Sequence, residues 1–174
     1  MRGMRLAKRE ITDEVELRGL VNSCQVLRIG AVDDEGVFVV PVNYGYEWHG
    51  LDADSLDDGS PIITFYIHSA REGRKAECFR ANGDAGVEVA IELDTDGGNI
   101  VGSYSCAYSR SYASIMGMGH VIPVEDETEK VRALTRIMEH AAPGAQTRFE
   151  PEAVARVAIF RIDVTQLTGK KREP

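Results

Sequence analysis

The residues best equipped for chemistry lie within positions 64–82, TFYIHSAREGRKAECFRAN. An apolar run ends at His68-Ser69, and Arg71, Arg74, Lys75 and Arg80 follow at once. The chain carries a formal net charge of -8, so this gathering of cations needs a cause. Ser69-Ala70-Arg71-Glu72 has the S-x-x-E spacing of a capping box, which predicts a helix over 70–80 starting near Ala70, or near Gly73 if that glycine delays it. Either start puts Arg74 and Lys75 in the first turns. A helix N-terminus already carries partial positive charge, and cations there are unfavourable unless an anion is bound. A phosphate removes the conflict, with main-chain N–H groups, Ser69, Arg74 and Lys75 converging on it. A solvated basic patch balanced by Glu72 and Glu77 explains the same residues, and their chemistry alone leaves both readings open.

Other clusters offer less. Asp52, Asp54, Asp57, Asp58 and Gly59 suggest a calcium loop, but the register fails: counting from Asp52, the sixth position is Asp57 rather than glycine and the twelfth is Ile63 rather than glutamate. A solvated acidic loop over 52–61 is expected instead. His49, His68, His120 and His140 are scattered, Glu139-His140 lacks the second histidine of an HExxH pair, and there is no CxxC, so no metal site is expected. Walker and GxGxxG loops are absent. The glycines of Met116-Gly-Met-Gly-His120 read as a strand with a close backbone approach to another subunit or a ligand. Cys106 has no histidine near it in sequence and reads as a small buried or half-buried thiol.

The elements that must position these residues follow from periodicity. One domain spanning 1–174 is expected, with loose ends over 1–10 and 170–174. Ile11, Val15, Leu17, Leu20 and Val21 mark a first helix capped by Thr12 or Asp13. β-Branched runs over 26–32 and 37–42 flank a DDEG turn, and Pro41 places the second run at an edge or a bulge. Further strands are read at 62–69, at Val87, Val89 and Ile91, at 112–124, and after position 153. A helix over 126–142 has an Asp126…Glu129 cap and a stripe of Val131, Leu134, Ile137 or Met138, and Ala141. Six or seven strands and three helices in this order predict a mainly β, largely antiparallel barrel with peripheral helices. A sequence pI near 5.0 argues against a nucleic-acid partner, and no apolar run is long enough for a membrane helix. Cys24, Cys78 and Cys106 read as free thiols in a reducing compartment, the cytoplasm.

The ordered segments VVPVNYGY, TFYIHSAREGRK, SYASIMGMGHV and ARVAIFRIDVTQLTGKK resemble the pyridoxamine-phosphate-oxidase-like flavin proteins, most of all their nitroimidazole-resistance branch. The resemblance runs from about Ile11 to Lys171. It implies a split β-barrel, a homodimer, and FMN in a cleft between the subunits. It places Pro41, Val42, Asn43 and Tyr44 near the isoalloxazine ring, and Ile67, His68 and Ser69 along the ring and ribityl chain. Arg74 and Lys75 match the paired cations on the FMN phosphate, and Tyr112 and Ser114 approach from the strand bordering the dimer cleft. The arginine-rich strand and C-terminal tryptophan and arginine of true pyridoxamine-phosphate oxidases are missing, which speaks against that substrate. The implied activity is transfer of electrons from reduced FMN to a small acceptor such as a nitroimidazole. His68 matches the histidine placed beside cofactor and substrate, as a proton donor or as a contact only. A non-catalytic flavin- or haem-binding protein is the alternative.

Overall fold

The computed structural model describes residues 5–51 and 59–173. Eight strands form one antiparallel sheet: β1 (Glu10–Ile11), β2 (Leu27–Asp33), β3 (Gly36–Val42), β4 (Gly45–Trp48), β5 (Ile63–Ser69), β6 (Val87–Ile100), β7 (Ser109–Pro123) and β8 (Ala158–Arg172). Their order is β3-β2-β6-β7-β8-β5-β4, with β1 added to β8. The two ends of this path, β3 and β4, are joined in the chain by Asn43-Tyr44 alone. A sheet whose opposite ends are tied by a dipeptide must curl round on itself, and the result is a split barrel. Pro41 lies on edge strand β3, where its missing N–H breaks no interior ladder.

Inside the barrel, alternate residues of β2, β6, β7, β8 and β5 meet: Ile29, Ile91, Ile115, Ile162 and Phe65 are each 2% exposed or less. Helix α1 (Glu14–Ser23) closes one side with Leu17, Leu20 and Val21, and α2 (Arg74–Arg80) adds Ala76, Cys78 and Phe79. Asp13 caps α1 by accepting from the N–H of Val15 and Glu16; of the expected stripe, Ile11 belongs to β1 and Val15 points outward, 77% exposed. The chain ends expected to be loose are therefore partly tied, with Glu10 opposite Lys170 and Ile11 opposite Gly169.

Helix α3 (Glu127–Ala141) packs outside, over β4 and β5, and α4 (Pro151–Arg156) is a short helix that periodicity did not announce. Asp126 caps α3 as expected. Its buried stripe is Ala133 and Ile137 with Leu134 alongside, while Val131 is exposed. The stripe is rotated because β4 presents Gly45 to the helix: a Cβ there would stand 2.2 Å from the main-chain carbon of Arg136. Helix and strand approach through that gap. Gly45→Ala forces them apart and loosens the cluster of Tyr66, Val124, Ala133, Ile137 and Ile159. We expect a loss of about 3 kcal/mol, at the upper end for overpacking, read from urea denaturation. Gly19→Ala on the exposed side of α1 meets nothing within 4 Å. It should raise stability by up to ~1 kcal/mol through helix propensity.

The glycines of MGMGH have a different role from the one expected. Gly117 and Gly119 face β8 of the same chain, where added Cβ atoms would meet Gln166 O at 2.8 Å and Asp163 O at 2.2 Å, beside a bulge between Met118 and Gly119. The close approach is within the barrel wall.

Candidate functional site

Strand β5 carries His68 to the surface. Ile63, Phe65 and Ile67 point into the barrel, while Thr64 and Tyr66 form the buried outer row. His68 continues that outer row and is exposed. Gly45 lies opposite Tyr66, and this register runs Tyr44 toward Ile67 and Asn43 toward His68. The β3–β4 connection and the end of β5 therefore meet along one edge. Pro41 and Asn43 are exposed there. Val42, Tyr44 and Ile67 turn their side chains into the core, so only their main-chain atoms can face a ligand.

Tyr44 has a structural duty as well. Its hydroxyl reaches Val21 O at 2.6 Å and Cys24 O at 2.9 Å, at the end of α1. His140 Nε2 donates to the same Cys24 carbonyl at 2.9 Å, and its ring lies 4.3 Å from that of Tyr44. Burial pushes the phenol far above its usual range, so it remains a donor. Tyr44→Phe strips Val21 O of this donor while His140 still serves Cys24 O. A buried carbonyl left so costs about 1–3 kcal/mol, visible as a lower urea midpoint at unchanged slope.

Helix α2 starts at Arg74, later than the capping-box spacing suggested. Ser69 stays in β5 as its last residue, paired with Ala158, and cannot turn back to cap. Gly73, at φ 101°, sets the sharp entry instead, and Glu77 Oε1 accepts its N–H at 3.3 Å.

The two cations that follow behave differently. Arg74 forms a bidentate pair with Asp33, Nε to Oδ2 and Nη2 to Oδ1 both at 2.7 Å, and Nη2 also donates to Gly36 O at 3.0 Å. Its guanidinium lies 4.5 Å over the Phe38 ring. Only Nη1 has no partner among the described residues. The arginine is thus fixed to the β2–β3 hairpin. Asp33 is held below the usual carboxylate range, chiefly by hydrogen bonding to Arg74. A carboxyl depressed in the folded state stabilises above its unfolded pKa, about 3.9, and loses that contribution as pH falls through the lower folded value. Asp33→Asn should therefore flatten the acid limb of a urea-midpoint profile below about pH 4 and leave its slope near neutrality unchanged.

Lys75 has no ion pair and no hydrogen bond among the described residues, although it is half-buried. Burial alone lowers its pKa. A partly desolvated ammonium without a counter-ion is costly and suits an incoming anion. The groove of about 430 Å³ between α2 and the hairpin is not the place for one, because Asp33, Asp34, Glu35 and Glu77 line it. Near Ser69, Arg71, Arg80 and Lys130 border a small crevice beside Ala158, where Glu125 also lines the wall and pairs with Lys130 at 3.3 Å. Sequence reading named Arg71 and Arg80 but missed Lys130, which reaches this corner from α3.

Tyr112 and Ser114 are not brought to His68 within one chain. His68 pairs with Ile159, whose carbonyl accepts from Val124 N–H at 2.9 Å. From Val124, Ser114 and Tyr112 lie ten and twelve residues back along β7, roughly 33 and 40 Å of strand. Cys106, expected to be at least half-buried, is exposed at the tip of the β6–β7 hairpin, whereas Cys24 and Cys78 are buried free thiols. Positions 52–58 of the acidic loop lie outside the described residues.

No described helix is long and apolar enough to cross a membrane. No curated protein matches the chain. Among solved structures, a candidate 5-nitroimidazole antibiotic resistance protein from Bacteroides thetaiotaomicron is 31% identical, with a TM-score of 0.72, over 93% of this chain and 86% of that one. The flavocytochrome Anf3 from Azotobacter vinelandii shares the fold at 14% identity and a TM-score of 0.75, over 99% and 73% of the two chains. The FAD and heme binding protein from Mycobacterium smegmatis does so at 15% and 0.75, over 95% and 74%. The family profile for pyridoxamine 5'-phosphate oxidase matches residues 13–171, nearly the whole barrel, and the chain belongs to that family.

Proposed function

We propose that the protein binds FMN in a cleft shared by two copies of the chain and reduces a small electron acceptor of the nitroimidazole or nitroaromatic class. The observation that carries this reading is Lys75, a half-buried cation with no anion partner among the described residues, seven positions after an exposed His68. The donor set fits a flavin phosphate: Lys75, the free Nη1 of Arg74, and Ser69 would hold it. Exposed Pro41 and Asn43, with the main chain of Val42, Tyr44, Ile67 and His68, would border the ring and ribityl chain.

The distance along β7 supports the dimer. Tyr112 and Ser114 can serve a site at His68 only from a second copy. Met116, two residues from Ser114 on β7, leaves an apolar side chain 62% exposed beside them, as an interface would. Bound flavin supplies the redox chemistry. The protein's own part is to fix the phosphate through Lys75, to border the ring with the β3–β4 connection, and to present the His68 imidazole as a proton donor to the reduced acceptor. The buried free thiols fit a reducing cytoplasm.

A second reading, a flavin- or haem-binding protein without turnover, draws on the similarity to Anf3 and to the FAD and heme binding protein. The visible spectrum of purified protein, before and after adding FMN, separates the two. Flavin bands bleached by reductant and restored by a nitroimidazole support the reductase. The same bands without reoxidation favour the binding protein. A haem band, or no flavin signal after reconstitution, removes the assignment of Ser69, Arg74 and Lys75.

A further inference from the structure

Cations from two distant parts of the chain meet where β1 joins β8. The pairing of Glu10 with Lys170 and Ile11 with Gly169 sets Lys8 and Arg9 beside the basic end of β8. Lys8, Arg9, Lys171, Arg172 and Glu173 line a groove of about 270 Å³. Lys171 is neutralised there by Glu16 at 2.8 Å and Glu173 at 3.1 Å. Lys170 donates to Arg5 O at 3.4 Å and lies opposite Glu10. Lys8, Arg9 and Arg172 have no carboxylate partner among the described residues. Three unspent cations around one groove stand out in a chain of net charge -8.

The groove also has a direction. Gly169 faces inward, where a Cβ would meet Leu17 and Ile11. Strand alternation therefore turns Lys170 and Arg172 outward. Their register partners on β7 are Ser114 and Tyr112, which are the residues one copy would offer to the other's cleft. Ser111 Oγ donates to Arg172 O at 2.9 Å and holds this corner together.

We propose that this terminal basic groove is a second phosphate site, and that it binds the diphosphate of a dinucleotide whose redox end enters the partner's cleft. A diphosphate suits it because two guanidinium groups and an ammonium offer several charge-assisted donors at once. A long polynucleotide does not, since the chain as a whole carries a net charge of -8. The dinucleotide is either the flavin cofactor in its adenylated form or a nicotinamide electron donor. The position of the groove at the cleft rests on the shared-cleft reading; its affinity for phosphate does not.

Titration of ADP into the purified full chain tests it, with Lys8→Gln/Arg9→Gln/Arg172→Gln and the single Arg172→Gln as variants. Saturable ADP binding is expected, weakened roughly tenfold by the single change and further by the triple, while FMN affinity stays at the wild-type level and Lys75→Ala leaves ADP binding intact. Absence of saturable ADP binding, or equal affinity in wild type and both variants, overturns the proposal. Two arms identify the source. FAD bound more tightly than FMN by wild type, but not by the triple variant, assigns the groove to the cofactor. Equal FMN and FAD affinities with a raised KM for NADH or NADPH in the variant assign it to the donor. Lost ADP binding with FMN binding intact sinks this inference alone; absent FMN binding with ADP binding intact sinks the flavin reading alone.

Discussion

His68→Ala should leave FMN bound and lower nitroimidazole turnover by about 10²–10⁴-fold, the usual worth of a positioned proton donor. The case rests on placement. His68 is exposed at the end of a strand whose five preceding residues are buried, so removing it opens no core cavity and should not disturb folding. It bears on the same edge as Pro41 and Asn43, and no described side chain competes for its ring nitrogens. The two roles left open by the sequence separate here. A proton donor is lost in both Ala and Gln variants, and turnover falls to the same extent in each. A mere contact is restored in part by His68→Gln, which keeps hydrogen-bonding capacity without the imidazole ring. Wild-type turnover in His68→Ala, measured at saturating nitroimidazole, would strike the residue from the reaction.

Lys75→Ala has the second largest expected effect, and riboflavin is the informative control. Riboflavin shares the ring and ribityl chain of FMN but has no phosphate. A hydrogen bond to a charged group is worth about 1.5–3 kcal/mol, so FMN affinity should fall about ten- to hundredfold. Riboflavin affinity should not change. Equal weakening of both ligands would mean that Lys75 supports the fold around the cleft instead of the phosphate. Arg74→Ala should behave less cleanly, because that side chain also anchors the β2–β3 hairpin through Asp33. Both ligands should weaken there, alongside a loss of stability.

This contrast shows what the sequence could and could not convey. Alternation and turn residues announced β2, β3, β5 and β6, and the Asp13 and Asp126 caps were legible from spacing. The cation cluster was legible too, as a concentration of charge in an acidic chain. The division of labour within it was not. Asp33 is 41 residues from Arg74, and only the folded hairpin reveals that this arginine is already paired. The false capping box failed for a similar reason: its spacing was right, but pairing of Ser69 with Ala158 on β8 holds the residue extended. Tertiary contact likewise rotated the stripe of α3, since Gly45 admits the helix backbone where periodicity alone favoured Val131. The terminal basic groove was invisible for the plainest reason, because its halves stand at opposite ends of the printed chain.

The strand order has a consequence for biosynthesis. β8 lies between β7 and β5, and Thr64 on β5 meets Asp163 on β8 across 99 residues. At typical elongation rates β5 waits roughly 5–20 s on the ribosome before its partner is made. For that interval the apolar segment ITFYI has β4 on one edge and nothing on the other. Nascent chains should therefore be most exposed to misassociation and to chaperone capture after β5 has emerged and before β8 has.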